Sequence, residues 1–238
     1  MSRLLIKFAT RNRPEKFKDR MNRFRDLASG KHEIRYVVSC DHDDPTMNNE
    51  DMISWMDEFS KDSDLVYHFG NSKSKIEAIN TDMEGEVFDV LLNTSDDMVP
   101  MKQDFDDVIF QVYSQAYPDF SGAVKFHDGL RNDQLMTYTV IGRPLYEAFG
   151  YIYHPEYTSV FSDNEQTQAC ARIGKLVVCD VCILKHDWTA EHFDELHARN
   201  ETGEMYQKDG AVFNRRAELN FEIDKLKEKL NAQGFVTN

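Results

Sequence analysis

The chain has 238 residues, 41% hydrophobic and 12% aromatic, enough to build a sizeable core in one α/β domain or one domain with an appendage. A net charge of −14 argues against a general nucleic-acid binder, and no run approaches the apolar length that crosses a bilayer. The N-terminus enters a strand-like run at once, with no apolar h-region and no small-residue cleavage site, so no secretory signal is read and a cytoplasmic location is expected.

Leu4 to Ala9 reads as the first strand, and Pro14 suits the first turn of a helix that carries Phe17, Met21, Phe24 and Ala28 at helical spacing. Ser29-Gly30 ends that helix. Ile34 to Cys40 is a second strand closing on Asp41-His42-Asp43-Asp44. Asn48 or Asn49 caps a helix carrying Met52, Met56 and Phe59. Leu65 to Phe69 is a short third strand, followed by a helix through Ile76, Ile79 and Met83. Phe88 to Leu92 is the fourth strand, and Gln103 to Ala116 the next helix, with Phe105, Val108, Ile109 and Val112 inward. The second half is less regular: strands at Ala123 to Phe126 and Met136 to Ile141, helices at Arg143 to Phe149 and Asn164 to Ile173, and a late strand from Leu176 to Leu184. A helical tail, Ala211 to Leu230, places Leu219, Ile223, Leu226 and Leu230 on one stripe that is expected to dock on the body. Strand and helix alternate as in a doubly wound, mostly parallel, Rossmann-like sheet. The expected division is a domain over residues 1–200, with a nucleotide-binding half near 1–100 and an acceptor half near 101–200, and a helical extension over 201–238.

Two features of charge and sulfur carry alternatives. Residues 1–35 hold 11 Lys and Arg against 4 Asp and Glu, a balance of +7. Arg11, Arg13, Lys16, Lys18, Arg20, Arg23 and Arg25 either face an anionic partner or form a solvated helix face. Cys179 and Cys182 spell C-x-x-C, but on a continuous strand residues three apart face opposite ways, so buried, reduced thiols are read instead of a zinc site or a local disulfide.

The chemistry concentrates at strand ends. The apolar run Val90-Leu91-Leu92 stops at adjacent acids, Asp96 and Asp97, where ligands of open α/β sheets bind. Two neighbouring carboxylates repel unless a cation or proton intervenes, and a hard divalent ion carrying a phosphate group fits that need. Asp41 closes the second strand and is either a nucleotide contact or a turn cap.

Several segments, in order, resemble the inverting, metal-dependent glycosyltransferases of family 2, which have the glycosyltransferase-A fold. They are Phe8-Ala9-Thr10-Arg11-Asn12-Arg13-Pro14, Val37-Val38-Ser39-Cys40-Asp41, Gly70 to Asn80, Ser95-Asp96-Asp97, Tyr146 to Gly150, Phe161-Ser162-Asp163-Asn164-Glu165, and Ile183-Leu184-Lys185-His186-Asp187-Trp188. The likeness covers roughly residues 3–190. It implies that Thr10, Arg11, Asn12, Arg13, Asp41, Lys75 and Asp96 contact a nucleotide-diphosphate sugar, most readily a uridine one. It implies Asp97 and His186 as ligands of Mn²⁺ or Mg²⁺, and Asp163 or Glu165 as the base that deprotonates a hydroxyl acceptor on a glycan, lipid-linked, protein or other molecule. Trp188 either stacks on a sugar or packs. Lys208, Arg215 and Arg216 either close over phosphates or line a helix surface. The chain departs from the pattern where Ser95 replaces the first acid of the Asp-x-Asp motif, where Asp163-Asn164-Glu165 replaces the usual Glu-Asp pair, and in a weakly marked acceptor lid. Two rival readings follow: a catalytically inactive relative that binds a glycan or protein, and a nucleotidyltransferase, which would show the Gly-rich loop that Thr10 to Pro14 lacks.

Overall fold

The computed structural model describes residues 1–131, 133–187 and 194–235. Its first half alternates β1 (Arg3–Ala9), α1 (Pro14–Leu27), β2 (Glu33–Asp41), α2 (Glu50–Asp62), β3 (Asp64–Gly70), α3 (Lys75–Asn80) and β4 (Val90–Thr94). The second half contributes β5 (Met98–Pro100), α4 (Phe105–Ala116), β6 (Ala123–Phe126), β7 (Val140–Gly142), α5 (Arg143–Phe149), α6 (Ser162–Arg172), β8 (Leu176–Cys179), β9 (Leu184–His186), α7 (Glu195–Asn200), α8 (Gly203–Glu218) and α9 (Ile223–Ala232).

The main sheet has the strand order β3-β2-β1-β4-β7-β6-β8. β1 to β4 run parallel, so Thr10, Asp41, Gly70 and Ser95 emerge at one edge. β7 alone is antiparallel to its neighbours, and β6 pairs parallel with β8. The sheet is therefore mostly parallel, as the alternation predicts. Side chains alternate across each strand, and the sheet accordingly has a core on each face. Leu4, Ile6 and Phe8 pack with Phe17 and Met21 of α1, Met56 of α2 and Phe105 of α4. Leu5, Val37 and Leu91 point the other way, toward Ile76 of α3, Leu145 of α5 and Leu226 of α9.

Local signals set the helix starts. Pro14 occupies the first turn of α1. Asn49 caps α2 by accepting the Met52 N–H, and Ser74 caps α3 by accepting the Glu77 N–H. Gly142, at the turn into α5, is forced by space: a Cβ there would lie 1.6 Å from the Phe120 carbonyl oxygen.

Four expected elements differ. The strand read as Met136 to Ile141 shortens to β7. α3 stops at Asn80, and Met83 reaches the core from beyond it. The strand read as Leu176 to Leu184 breaks into β8 and β9, which belong to different sheets; β9 pairs with β5. The premise that Cys179 and Cys182 share one strand therefore fails; both thiols are half-buried and free, while Cys40 and Cys170 are buried. The tail breaks at Asn220, Phe221 and Glu222, all at positive φ, into α8 and α9. Its stripe still docks on the body through Ile223, Leu226 and Leu230, while Leu219 at the break is 56% exposed. Among the described residues, no helix is long and apolar enough to cross a membrane.

Candidate active site

Two adjoining cavities open where the parallel strands end. The narrower, about 120 Å³, is lined by Thr10, Arg11, Arg13, Asp41, Lys75, Asp96 and Asp97, with Leu196, His197, Arg199 and Met205 as its outer wall. The wider, about 640 Å³, is lined by Lys75, Thr94, Asp97, Ser159, Asp163, His186 and Tyr206. Lys75 and Asp97 border both.

The two acids after β4 have opposite environments. Asp96 is buried and accepts the Thr10 hydroxyl at 3.0 Å. Burial pushes its pKa up to about 7 and Asp97 adds to that, against the pull of Arg13, the Thr10 bond and Arg20. Its backbone carbonyl is gripped by Arg20 Nε at 3.0 Å, which fixes the turn. Asp97 borders the cavities. Burial opposes its charge, but His186, His197 and Lys75 outweigh that and hold its pKa well below the usual carboxylate range. Its Oδ2 lies 3.7 Å from His186 Nε2 and 3.6 Å from His197 Nε2, and the Ser95 hydroxyl donates to its Oδ1.

β-Sheet register explains how His186 arrives. β5 and β9 pair antiparallel with Met98 opposite His186, and the Asp187 N–H donates to the Asp97 carbonyl at 2.7 Å. His197 comes from α7, where Asp194 and His197 form a capping box. Arg13 holds that helix, donating to Asp194 at 2.8 and 2.6 Å and standing 2.9 Å from His197 Nδ1. Sequence reading missed both Asp194 and His197. The Asp-x-x-His capping spacing was visible, but nothing local tied it to Arg13, 181 positions away.

Asp163 is the second residue of α6 and lines the wider cavity. Burial raises its pKa, although the Asn164 N–H donates to it at 2.9 Å and Lys75 and Arg131 also favour its charge. Asp41 reaches the narrower cavity and pairs with Arg11 at 2.8 Å; Arg11 also bonds Asp43.

Other expected site residues stand elsewhere. Glu165 lines neither cavity; both its oxygens accept from Arg216 at 2.7–2.9 Å, and Tyr157 donates to it at 2.7 Å. A carboxylate so engaged stands outside both cavities, whereas Asp163 lines one of them. Asn12 is exposed at φ 59°, and its N–H serves Asp44 at 2.8 Å. Arg216 is buried on Glu165, Arg215 pairs with Glu156, and Lys208 donates to the Thr158 hydroxyl, so none of the three lines a cavity. The seven cations from Arg11 to Arg25 all find carboxylates, which leaves the basic face largely neutralised. Trp188 lies outside the described residues.

No protein-family model matches the chain, and no curated protein matches it. Solved structures do. A mannosyltransferase, PcManGT from Pyrobaculum calidifontis in complex with GDP-Man and Mn²⁺, superposes with a TM-score of 0.61 at 13% identity, over 98% of this chain and 75% of that one. The fold is the glycosyltransferase-A fold. S. aureus TarS 1–349 in complex with UDP-GlcNAc gives 0.63 at 12% identity over 86% of this chain, which spans 64% of the TarS chain. Glucosyl-3-phosphoglycerate synthase from Mycobacterium tuberculosis, with Mn²⁺, UDP and phosphoglyceric acid, gives 0.56 at 10% identity over 83% of this chain and 75% of that one. The two cavities of the glycosyltransferase-A fold here lie at the carboxyl ends of β1, β2 and β4.

Proposed function

We propose that this protein is a glycosyltransferase that moves a sugar from a nucleotide-diphosphate donor to a hydroxyl acceptor with inversion, assisted by a divalent metal. The observation that carries the reading is Asp97, charged and facing His186, on the border between a narrow cavity and a wide one. The glycosyltransferase-A fold supports it, as do the GDP-Man and UDP-GlcNAc held by two of the similar structures.

The donor set suits the metal. Among the described residues, no group of three or more His, Cys, Asp or Glu could hold a metal ion. One carboxylate and one imidazole, Asp97 and His186, would hold Mn²⁺ or Mg²⁺, and the histidine tilts the choice to Mn²⁺. When bound, the ion neutralises charge on the departing diphosphate.

The chain's own residues divide the remaining work. Thr10, Arg11, Arg13, Asp41 and Lys75 line the narrow cavity and would bind the nucleotide there, with Lys75 near the diphosphate. Asp96, locked to Thr10, shapes the floor. Asp163 would take the acceptor's hydroxyl proton from the wide cavity; burial gives it a raised proton affinity suited to that task. A uridine nucleotide is the donor we expect, with Asp41 at the base or ribose.

Purified protein with Mn²⁺ and a panel of nucleotide sugars should release nucleoside diphosphate. Asp97→Asn should abolish release and the thermal shift given by nucleotide with Mn²⁺. Silence across the panel, with no thermal shift in the wild type, would favour a non-catalytic binding protein.

A further inference from the structure

One wall of the wide cavity is held from the far end of the chain. The segment Thr158-Ser159-Val160 precedes α6 and runs past the N-terminus of α3, where the Thr158 carbonyl accepts the Ile76 N–H at 3.3 Å. Three successive backbone N–H groups of this segment turn away from the cavity and converge on one carboxylate, that of Asp209 in α8. Thr158 N donates at 3.0 and 3.1 Å, Ser159 N at 2.7 Å and Val160 N at 2.9 Å. Asp209 is 0% exposed. Consecutive N–H groups curved around an anion form a backbone nest, and here the chain supplies its own anion. Charge-assisted bonds of this kind are roughly twice as strong as neutral ones.

The consequence lies on the opposite side of the segment. With its N–H groups turned toward Asp209, the segment presents Ser159 to the cavity. Ser159 is 5% exposed, and its hydroxyl oxygen has no hydrogen-bond partner among the described residues. Thr94, at the end of β4, lines the same cavity with a hydroxyl in the same condition and 3% exposure. Buried polar groups without partners are uncommon, and two of them sit on residues that line one cavity, covered as they stand and short of the partner that the hydroxyls of a ligand would supply. Neither side chain lines the narrow cavity.

We propose that Ser159 is a specificity-determining residue that hydrogen-bonds a sugar hydroxyl in the wide cavity, and that Asp209 is the positioning residue that holds it there. This rests on the glycosyl-transfer reading above. It makes α8 part of the site, although Asp209 touches no substrate.

Wild-type turnover is measured first with the donor panel and Mn²⁺, since a silent wild type would sink the transfer reading and this proposal with it. Given turnover, Ser159→Ala should lower kcat/KM for the nucleotide sugar about tenfold while leaving the Kd of the nucleoside diphosphate alone unchanged, because one hydrogen bond is lost only in the wide cavity. Asp209→Asn should reproduce that split, with a loss of about tenfold or more. In the Ser159→Ala background its effect should shrink to a few-fold, since both changes remove the same contact. Amide hydrogen exchange should quicken at residues 158–160 in Asp209→Asn, with the core strands β1 and β4 as protected as before. Two results overturn the proposal: Asp209→Asn weakening nucleoside diphosphate and nucleotide sugar equally, or the two substitutions acting additively. Ser159→Ala stands alone as a test if Asp209→Asn does not fold; unchanged kcat/KM there refutes the contact.

Discussion

Glu165→Gln separates structure from chemistry at the one acid pair the sequence left open. Glu165 and Arg216 are both nearly excluded from solvent, with side chains 6% and 3% exposed, and are joined by three N–H···O contacts of 2.7–2.9 Å. Removing one partner of such a pair leaves a buried charge uncompensated and costs about 3–5 kcal/mol. Glu222, 3.2 Å from Arg216 and 37% exposed, takes up part of that charge, so the lower end of the range, about 3 kcal/mol, is expected. For a chain of this size that corresponds to a fall in Tm of roughly 6–12 °C. Differential scanning calorimetry and urea unfolding would measure it, with kcat determined below the transition per mole of folded protein. The variant should be less stable and retain kcat within about twofold, since a group outside both cavities has no proton to take from substrate. An unchanged Tm with kcat reduced by about 10²-fold or more would show that Glu165 reaches the reacting atoms, and would refute the assignment of the base to Asp163.

Asp163→Asn should lower kcat by about 10²–10⁴ while nucleotide-sugar Kd stays constant, as isothermal titration would report. Burial raises the pKa of Asp163, so wild-type kcat/KM should climb with pH until that raised value is passed and then level off. Lys7 is fully buried in β1 and bonded to Ser39 under the narrow cavity; desolvation lowers its pKa from 10.5 to about 8. The unfolded chain then binds the proton more tightly than the folded one, so this lysine costs stability below pH 8, and the cost fades as pH rises toward 10.5. Lys7→Met should accordingly gain on the wild type, by on the order of 3 kcal/mol at neutral pH, and lose that gain in alkaline urea titrations. Gly142→Ala, with a Cβ 1.6 Å from the Phe120 carbonyl, should destabilise by at least about 3 kcal/mol in urea melts.

The parts of the fold that follow local rules were legible. Apolar runs marked β1 to β4, Pro14 marked the start of α1 and Asn48 or Asn49 that of α2, because such signals are decided within a few residues, whereas the Ser74 cap of α3 went unread. β6 and α5 fall at the expected bounds. The reading weakened where a partner far along the chain decides the outcome. Nothing inside Leu176 to Leu184 says that its two ends join different sheets, since β6 claims one and β5 the other. At the candidate site, Asp97, His186, Asp163, Asp41 and Lys75 do border the cavities, and four of these were read as acids or a histidine near strand or helix ends. Arg216, His197 and Asp209 meet Glu165, Asp97 and the Thr158 segment at separations of 49 to 100 positions along the chain that no periodicity encodes.

The two-stranded sheet of β5 and β9 joins Met98 to His186, 88 positions later. A nascent chain can pair β1, β2, β3 and β4 while its last third is still unmade, since those strands are all encoded within the first 94 residues. In that interval Asp97 meets neither imidazole. The surroundings of Asp97 therefore close late in synthesis: a chain cut short before β9 keeps Thr10, Arg13, Arg20 and Lys75 beside its two acids but lacks both histidines and the α9 side chains that complete one core.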